Sequence, residues 1–165
     1  MKKTLALILC AALALCLVAC GKAAAPAASG EESTQIANPF VEYETMDEAA
    51  AAVGFSLSVP ETPEGYDDPF IEVIGGELLQ LVYANEDSQF ITVRKAAIAD
   101  EDVSGDYNEY PQTRKTTLGD NEVLFKGADE LVSVIIWSVD GYSYSVTYDD
   151  PADMGAALGL LMQVY

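Results

Sequence analysis

Apolar and polar residues alternate with a two-residue period through most of the chain after residue 54. Such alternation places successive side chains on opposite faces of a β-strand, and turn residues separate the runs at short intervals. Gly75 and Gly76 lie between two runs and suit the positive φ angles of a tight hairpin. The pattern therefore predicts a mostly antiparallel sheet. Its predicted strands are residues 55–59, 70–74, 78–83, 90–98, 113–118, 122–126, 131–139 and 142–148.

Helical spacing replaces the strand alternation at two places. Thr45 and Glu48 have the spacing of a capping box, and Gly54 suits the left-handed end of a helix. Asp150 is the predicted N-cap of a second helix that Pro151 opens. The apolar stripes are Met46, Ala49, Ala50 and Val53 in the first helix, and Met154, Ala157, Leu158, Leu161 and Tyr165 in the second. Helices this short need a larger partner, so both are expected to pack on the sheet, which makes the fold class α+β.

The last predicted hairpin separates its two strand faces most clearly. One face carries Tyr142, Tyr144, Val146 and Tyr148, and the other carries Ser143, Ser145 and Thr147. This predicts one buried face and one solvated face. Together with Trp137, the tyrosines form either part of the core or a stacking platform for a ligand. Aromatic residues at this spacing more commonly belong to the core. The preceding strand is apolar on both faces apart from Ser133, as in a central strand covered on both sides.

The first residues have the layout of a bacterial lipoprotein signal peptide. Lys2 and Lys3 precede an apolar run that ends in Leu-Val-Ala-Cys at residues 17–20. This ending resembles a lipobox, in which the Cys20 thiol receives a diacylglyceryl group and becomes the first mature residue. The run is shorter than the ~20 residues that cross a membrane as a helix. We therefore expect lipidation at Cys20 and a location on the outer, extracytoplasmic face of the cell membrane.

Composition divides the chain into three parts. Residues 1–19 are the expected lipoprotein signal peptide, residues 20–38 a flexible tether that starts at the lipidated Cys20, and residues 39–165 a single α+β domain. The tether is rich in Ala, Ser, Gly, Pro and Glu and has too few large apolar residues to build a core. The domain is long enough to bury about two-thirds of its unfolded surface.

The net charge of the chain limits the kinds of partner that it can bind. The chain has 27 acidic and 8 basic residues and a formal net charge of −19. Such a surface repels nucleic acid, favours cations or basic partners, and keeps a secreted domain soluble. The only expected membrane contact is through the lipid on Cys20, and the further partner is an unidentified protein, peptide or envelope ligand.

The inventory of reactive side chains argues against an enzyme. The chain contains no histidine and three cysteines, of which Cys10 and Cys16 lie in the expected signal peptide and Cys20 carries the lipid. Serine triads, thiolate nucleophiles and zinc sites built on Cys or His are therefore excluded from the mature chain. No catalytic residue, no cofactor and no metal ligand is predicted.

Two acidic features keep alternatives open. Residues 100–111 partly match a calcium-binding loop, but Pro111 stands where the bidentate glutamate belongs, so a solvated acidic loop is the preferred interpretation over a calcium-dependent structural domain. Two pairs of adjacent aspartates could supply the two carboxylates that a glycosidase uses; they are Asp67–Asp68 and Asp149–Asp150. A carboxylate-dependent hydrolase of envelope or dietary glycans is therefore the alternative to a binding protein.

Three stretches carry a resemblance to a known family. They are residues 54–60 leading to 63–66, residues 81–83, and residues 137–145, in sequence GFSLSVP with PEGY, LVY, and WSVDGYSYS. Together they resemble an uncharacterised domain-of-unknown-function family of extracytoplasmic lipoproteins and anti-sigma-like membrane proteins in Gram-positive bacteria. The resemblance implies an extracytoplasmic α+β domain with a curved antiparallel sheet, and it supplies no catalytic residue. The expected function is a lipid-anchored binding or sensory module without catalytic activity.

Overall fold

The computed structural model describes residues 38–165. Eight strands and two helices follow one another along the chain. They are β1 (Phe40–Tyr43), α1 (Met46–Val53), β2 (Phe70–Ile74), β3 (Leu78–Ala84), β4 (Phe90–Ala96), β5 (Gln112–Leu118), β6 (Asn121–Ala128), β7 (Leu131–Val139), β8 (Tyr142–Ala152) and α2 (Met154–Leu161). None of the helices in this described part is long and apolar enough to span a membrane.

All eight strands join one open, curved sheet in the order β1-β2-β3-β4-β8-β7-β6-β5, and every neighbouring pair is antiparallel. The sheet consists of two four-stranded meanders, β1–β4 and β5–β8, whose last strands β4 and β8 lie side by side. The predicted α+β class and the antiparallel pairing are confirmed. Strand β1 was not predicted, because its four residues are mostly exposed and lack a clear alternation.

The predicted N-cap and C-cap of α1 are confirmed, and the Glu48 carboxylate accepts from the Thr45 hydroxyl at 3.1 Å rather than from the Thr45 amide, as it would in a capping box. The amide of Glu48 donates to Thr45 Oγ1 at 3.3 Å, and Gly54 takes the left-handed conformation at φ 83°. At α2 the predicted cap was wrong, since β8 continues through Asp150 to Ala152 and Asp153 caps the helix instead. The Asp153 carboxylate accepts from the amides of Gly155 and Ala156 at 2.7 and 3.0 Å. Both helices pack on the same face of the sheet, hereafter the helix-bearing face.

The strand predicted at residues 55–59 is not part of the sheet. Phe55 and Leu57 are buried as the alternation predicted, but the segment crosses the helix-bearing face and meets the C-terminus. The Ser58 amide donates to the carbonyl of Tyr165 at 3.1 Å, and the Tyr165 amide donates to Ser58 Oγ at 2.9 Å. The alternation thus correctly predicted which side chains of this segment are buried. It did not predict a strand, because a segment that lies over a sheet also buries every second side chain.

The second face of the sheet is less solvated than the sequence predicted. Ser143 and Ser145 are fully buried, and the segment after β4 folds back onto this face at Ser143. The amide of Glu101 donates to Ser143 Oγ at 3.0 Å, and the guanidinium of Arg94 donates to the carbonyl of Ser104. Strand β7 is buried on both faces, as its composition predicted.

Candidate functional site

The acidic segment 100–111 is held together by its own side chains. Asp102 Oδ1 accepts from the Ser104 amide at 3.0 Å, while Asp106 accepts from the Asn108 amide and the Tyr110 hydroxyl, both at 2.8 Å. The carboxylates of Asp102 and Asp106 thus accept from backbone amides two residues ahead of them, as in successive Asx turns. Across residues 38–165, no group of three or more Asp, Glu, His or Cys side chains is arranged to hold a metal ion.

Asp102 also anchors this segment to the sheet. Its Oδ2 lies 3.0 Å from the Nζ of Lys126 on β6. Partial burial opposes ionisation of Asp102, but the hydrogen bonds from Ser104 and the ion pair with Lys126 outweigh it, so its pKa falls below the usual range. The segment is therefore a fixed cover for the second face of the sheet.

The two candidate carboxylate pairs, Asp67–Asp68 and Asp149–Asp150, each include a side chain with a structural role. Asp68 accepts from the Thr62 hydroxyl at 2.7 Å, and Asp149 accepts from the Phe90 amide at 3.0 Å. Asp150, at the end of β8, is exposed. In each pair, one carboxylate thus accepts a hydrogen bond from another residue of the domain.

The tyrosine face divides between core and surface. Tyr144 is 3% exposed and stacks on Trp137, with ring centroids 5.2 Å apart and planes inclined by 7°. Tyr148 is also buried, whereas Tyr142 is half-buried and meets Phe55 edge to face at 5.4 Å. The core interpretation is confirmed for Tyr144 and Tyr148, and Tyr142 faces a pocket.

That pocket surrounds the side chain of Lys95, and we call it the Lys95 pocket. It has a volume of about 470 Å³ and is lined by Gly54, Phe55, Ser56, Ser58, Lys95, Tyr142 and Tyr165. Lys95 is 7% exposed, and its ammonium nitrogen lies 4.6, 5.1 and 5.7 Å from the ring centroids of Tyr142, Tyr144 and Phe55. The same nitrogen donates to the Ser56 carbonyl at 2.6 Å.

Lys95 is a buried cation without a carboxylate partner. Within residues 38–165, acidic side chains form ion pairs with Lys115 and Lys126 and with no other basic residue. Burial lowers the pKa of Lys95, since removal from water disfavours the charged form. The three ring faces and one carbonyl offset part of that penalty, because aromatic faces attract cations.

Lys95 was not predicted as a site residue, although the sequence contains a signal for it. In β4 the residues Ile91, Val93 and Lys95 occupy one face, so strand alternation places this lysine in line with two core residues. A lysine at a core-facing position is unusual, because lysine is almost never fully buried unless paired. That exception to the alternation was the available clue.

Comparison with known proteins finds no match for this chain. No protein-family model matches it, and no curated protein or solved structure matches it either. The resemblance to extracytoplasmic lipoproteins therefore stays a prediction. Cys20, the predicted lipidation site, lies outside the described residues.

Proposed function

We propose that this protein is a lipid-anchored extracytoplasmic binding module without catalytic activity, and that it holds a carboxylate-bearing ligand in the Lys95 pocket. The observation that carries the proposal is the buried ammonium of Lys95. An unpaired charge in a protein interior is costly, and perturbed titratable groups in concave sites mark candidate functional sites. The anchor is Cys20, which places the domain on the outer face of the membrane.

The pocket combines one cation with aromatic walls. An ammonium has three N–H donors, and the Ser56 carbonyl occupies one of them. The donors that remain favour a carboxylate, which would also supply the missing counter-charge. The faces of Phe55 and Tyr142 favour a flat apolar body attached to that group. A volume of about 470 Å³ is within the range of small-ligand sites.

A purely structural role for Lys95 predicts a different outcome. In that case the ammonium only ties Ser56 to the sheet, and no ligand binds. Titration of the full chain, kept in detergent micelles, with benzoate separates the two roles when amide NMR signals are followed. We expect benzoate to shift the signals of residues 54–58 and 142, and the neutral analogue benzamide to shift them at least tenfold more weakly.

Variants locate the interaction. Lys95→Met keeps most of the side-chain volume and removes the charge, so it is expected to weaken benzoate binding at least tenfold. Lys115→Met is the matched control, because Lys115 is an exposed lysine in β5 that pairs with Glu122. It should change the affinity less than twofold. Benzoate that does not bind, or that binds Lys95→Met as well as the parent, would contradict the proposed site.

The anchor has its own test. Cys20→Ser removes the thiol that receives the lipid, and should leave the protein unprocessed or released from the membrane fraction. Cys16→Ser is the matched control, since it removes a thiol from the same apolar run and should leave processing intact. Stable anchoring needs more than one acyl chain, which the diacylglyceryl form supplies. Normal processing of Cys20→Ser, or insensitivity to inhibition of the lipoprotein signal peptidase, would refute the anchor.

A further inference from the structure

A second cavity lies at the other end of the strand pair β4–β8, and we call it the acidic cavity. Its volume is about 380 Å³, and its principal lining residues are Glu64, Tyr66, Ile91, Tyr148, Asp150 and Leu160. Ile91 and Leu160 are buried, whereas Glu64 and Asp150 are exposed. The cavity thus has an apolar floor and an acidic rim.

Tyr148, one of the residues that line this cavity, has an unsatisfied polar group behind the cavity surface. Tyr148 is 7% exposed, and its hydroxyl is buried with no hydrogen-bond partner anywhere in residues 38–165. Buried hydroxyls are usually hydrogen-bonded, and leaving one without a partner costs about 1–3 kcal/mol. The nearby Tyr83 shows the usual arrangement, because its hydroxyl donates to the carbonyl of Pro60 at 3.1 Å.

The electrostatic environment of the cavity is negative. None of its lining residues is Lys or Arg, and Asp150 and Asp153 both contribute to it. Burial, reinforced by the charges of Asp150 and Asp149, raises the pKa of Tyr66. The Asp153 carboxylate is already engaged by α2, so Asp150 and Glu64 are the rim carboxylates available to a cation.

We propose that the acidic cavity binds a protonated primary amine carried on an apolar stem. The ammonium would donate to Asp150 or Glu64 at the rim, and a shift of the Tyr148 side chain would bring its buried hydroxyl oxygen within reach of the same ammonium, giving that hydroxyl its missing partner. The stem would lie against Ile91 and Leu160. Hydrogen bonds in which the donor is charged are the strong ones, so the amine and the carboxylates reinforce each other. This site is separate from the Lys95 pocket and does not depend on it.

Calorimetric titration of the full chain in micelles tests the proposal. Two probes share the chemistry and differ in source: Nα-acetyl-lysine methylamide represents a lysine side chain of a peptide, and 1,5-diaminopentane represents a free amine. The Nε-acetylated form of the first probe removes the charge and keeps the stem. We expect either amine to bind at least tenfold more tightly than the acetylated form, and the tighter of the two identifies the source.

Three variants then place the amine in the cavity. Asp150→Asn and Tyr148→Phe should each weaken binding about fivefold to tenfold, since each removes one hydrogen-bond partner of the ammonium. Asp120→Asn is the control, because it removes the same charge from the exposed β5–β6 turn and should change the affinity less than twofold. Thermal unfolding of each variant confirms that the fold is intact.

The opposite results would overturn the proposal. Equal binding of the charged and acetylated probes would show that the cavity does not recognise an ammonium. An equal loss in Asp120→Asn and Asp150→Asn would show that the acidic surface as a whole attracts the amines. Unchanged amine affinity in Tyr148→Phe would show that the Tyr148 hydroxyl does not contact the amine.

Discussion

The Lys95 pocket and the acidic cavity are built on the same two strands and have opposite charge. In the β4–β8 register, Lys95 faces Tyr144 and Ile91 faces Tyr148, and the two pairs are four residues apart along each strand. Both pairs lie on the helix-bearing face. The difference arises from one core-facing lysine at one end, and from carboxylates at the end of β8 at the other. A single sheet face can therefore present two chemically distinct concave sites.

The buried polar groups of the two sites also differ in their interaction partners. The ammonium of Lys95 has a carbonyl and three ring faces around it, while the hydroxyl of Tyr148 has no partner within the described part of the chain. The partners of Lys95 offset part of the cost of burying its charge, whereas the unsatisfied hydroxyl of Tyr148 lowers stability until a ligand or water supplies the bond. Removing each group should therefore affect stability in different ways.

The largest expected effect is at Tyr144, which supports the Lys95 pocket from the core. Its ring is 3% exposed and stacked on Trp137, so Tyr144→Ala removes a large apolar contact and leaves a void. We expect a loss of about 3–5 kcal/mol in the free energy of unfolding, by analogy with Phe→Ala. Urea unfolding measures it. Tyr142→Ala, at the half-buried rim, should lose clearly less, and equal losses would mean that the rim is as much a part of the core.

Alkaline pH should act on the two sites in opposite directions. Burial raises the pKa of Tyr148, and burial together with the charge of Asp68 raises that of Tyr83 to about 12. The stability that these tyrosines contribute is therefore present below pH 10 and is lost as the pH rises through their raised pKa values. The pKa of Lys95 is lowered, so its contribution to stability rises with pH up to about 10.5, the ordinary lysine value.

The measurement is the unfolding midpoint between pH 9 and pH 12 by circular dichroism. We expect a decline above pH 10 of up to about 1.4 kcal/mol per pH unit for each buried tyrosine. Tyr148→Phe should make the decline shallower, and Lys95→Met should make it begin at lower pH because the opposing rise is gone. Identical profiles for the parent and Tyr148→Phe would exclude this tyrosine as a contributor.

These two sites also show which features a sequence can predict. The Gly75–Gly76 hairpin and the Thr45 cap depend on neighbouring residues, so local patterns predicted them, and both glycines indeed have positive φ angles of 62° and 76°. Phe55 and Leu57 were predicted buried, but which segment they pack against is a long-range contact that alternation does not encode.

Burial of polar side chains was the least predictable feature. Ser145 was expected in solvent but is fully buried; its partner in the β4–β8 register is Arg94, whose guanidinium donates to the carbonyl of Ser104 in the segment after β4. The Lys95 pocket likewise forms only once residues 54–58 and Tyr165 are brought over β4. Its lysine was visible in the sequence, but its three aromatic neighbours come from distant positions.

Lys95→Met should have a modest effect on stability. The substitution removes the hydrogen bond to Ser56 and the contacts with the rings, but it also relieves the burial of a charge. Because Ser56 is exposed, water can replace the ammonium at its carbonyl. We expect a loss within about 1 kcal/mol in urea unfolding, and no measurable change in Lys115→Met. A loss of 3 kcal/mol or more would show that Lys95 is primarily a structural clamp.

The smallest effects are expected at the two buried hydroxyls that lack partners in the described residues, Ser145 and Tyr148. Deleting an unsatisfied hydroxyl removes a desolvation penalty and breaks no hydrogen bond, so Ser145→Ala and Tyr148→Phe should leave the free energy of unfolding within about 0.5 kcal/mol of the parent or raise it slightly. Tyr83→Phe is the control, since it breaks the bond to Pro60 and should lose about 1 kcal/mol. If Tyr148→Phe instead destabilised the protein as much as Tyr83→Phe, its hydroxyl would have a partner such as a bound water, and the acidic cavity would already be satisfied without an amine.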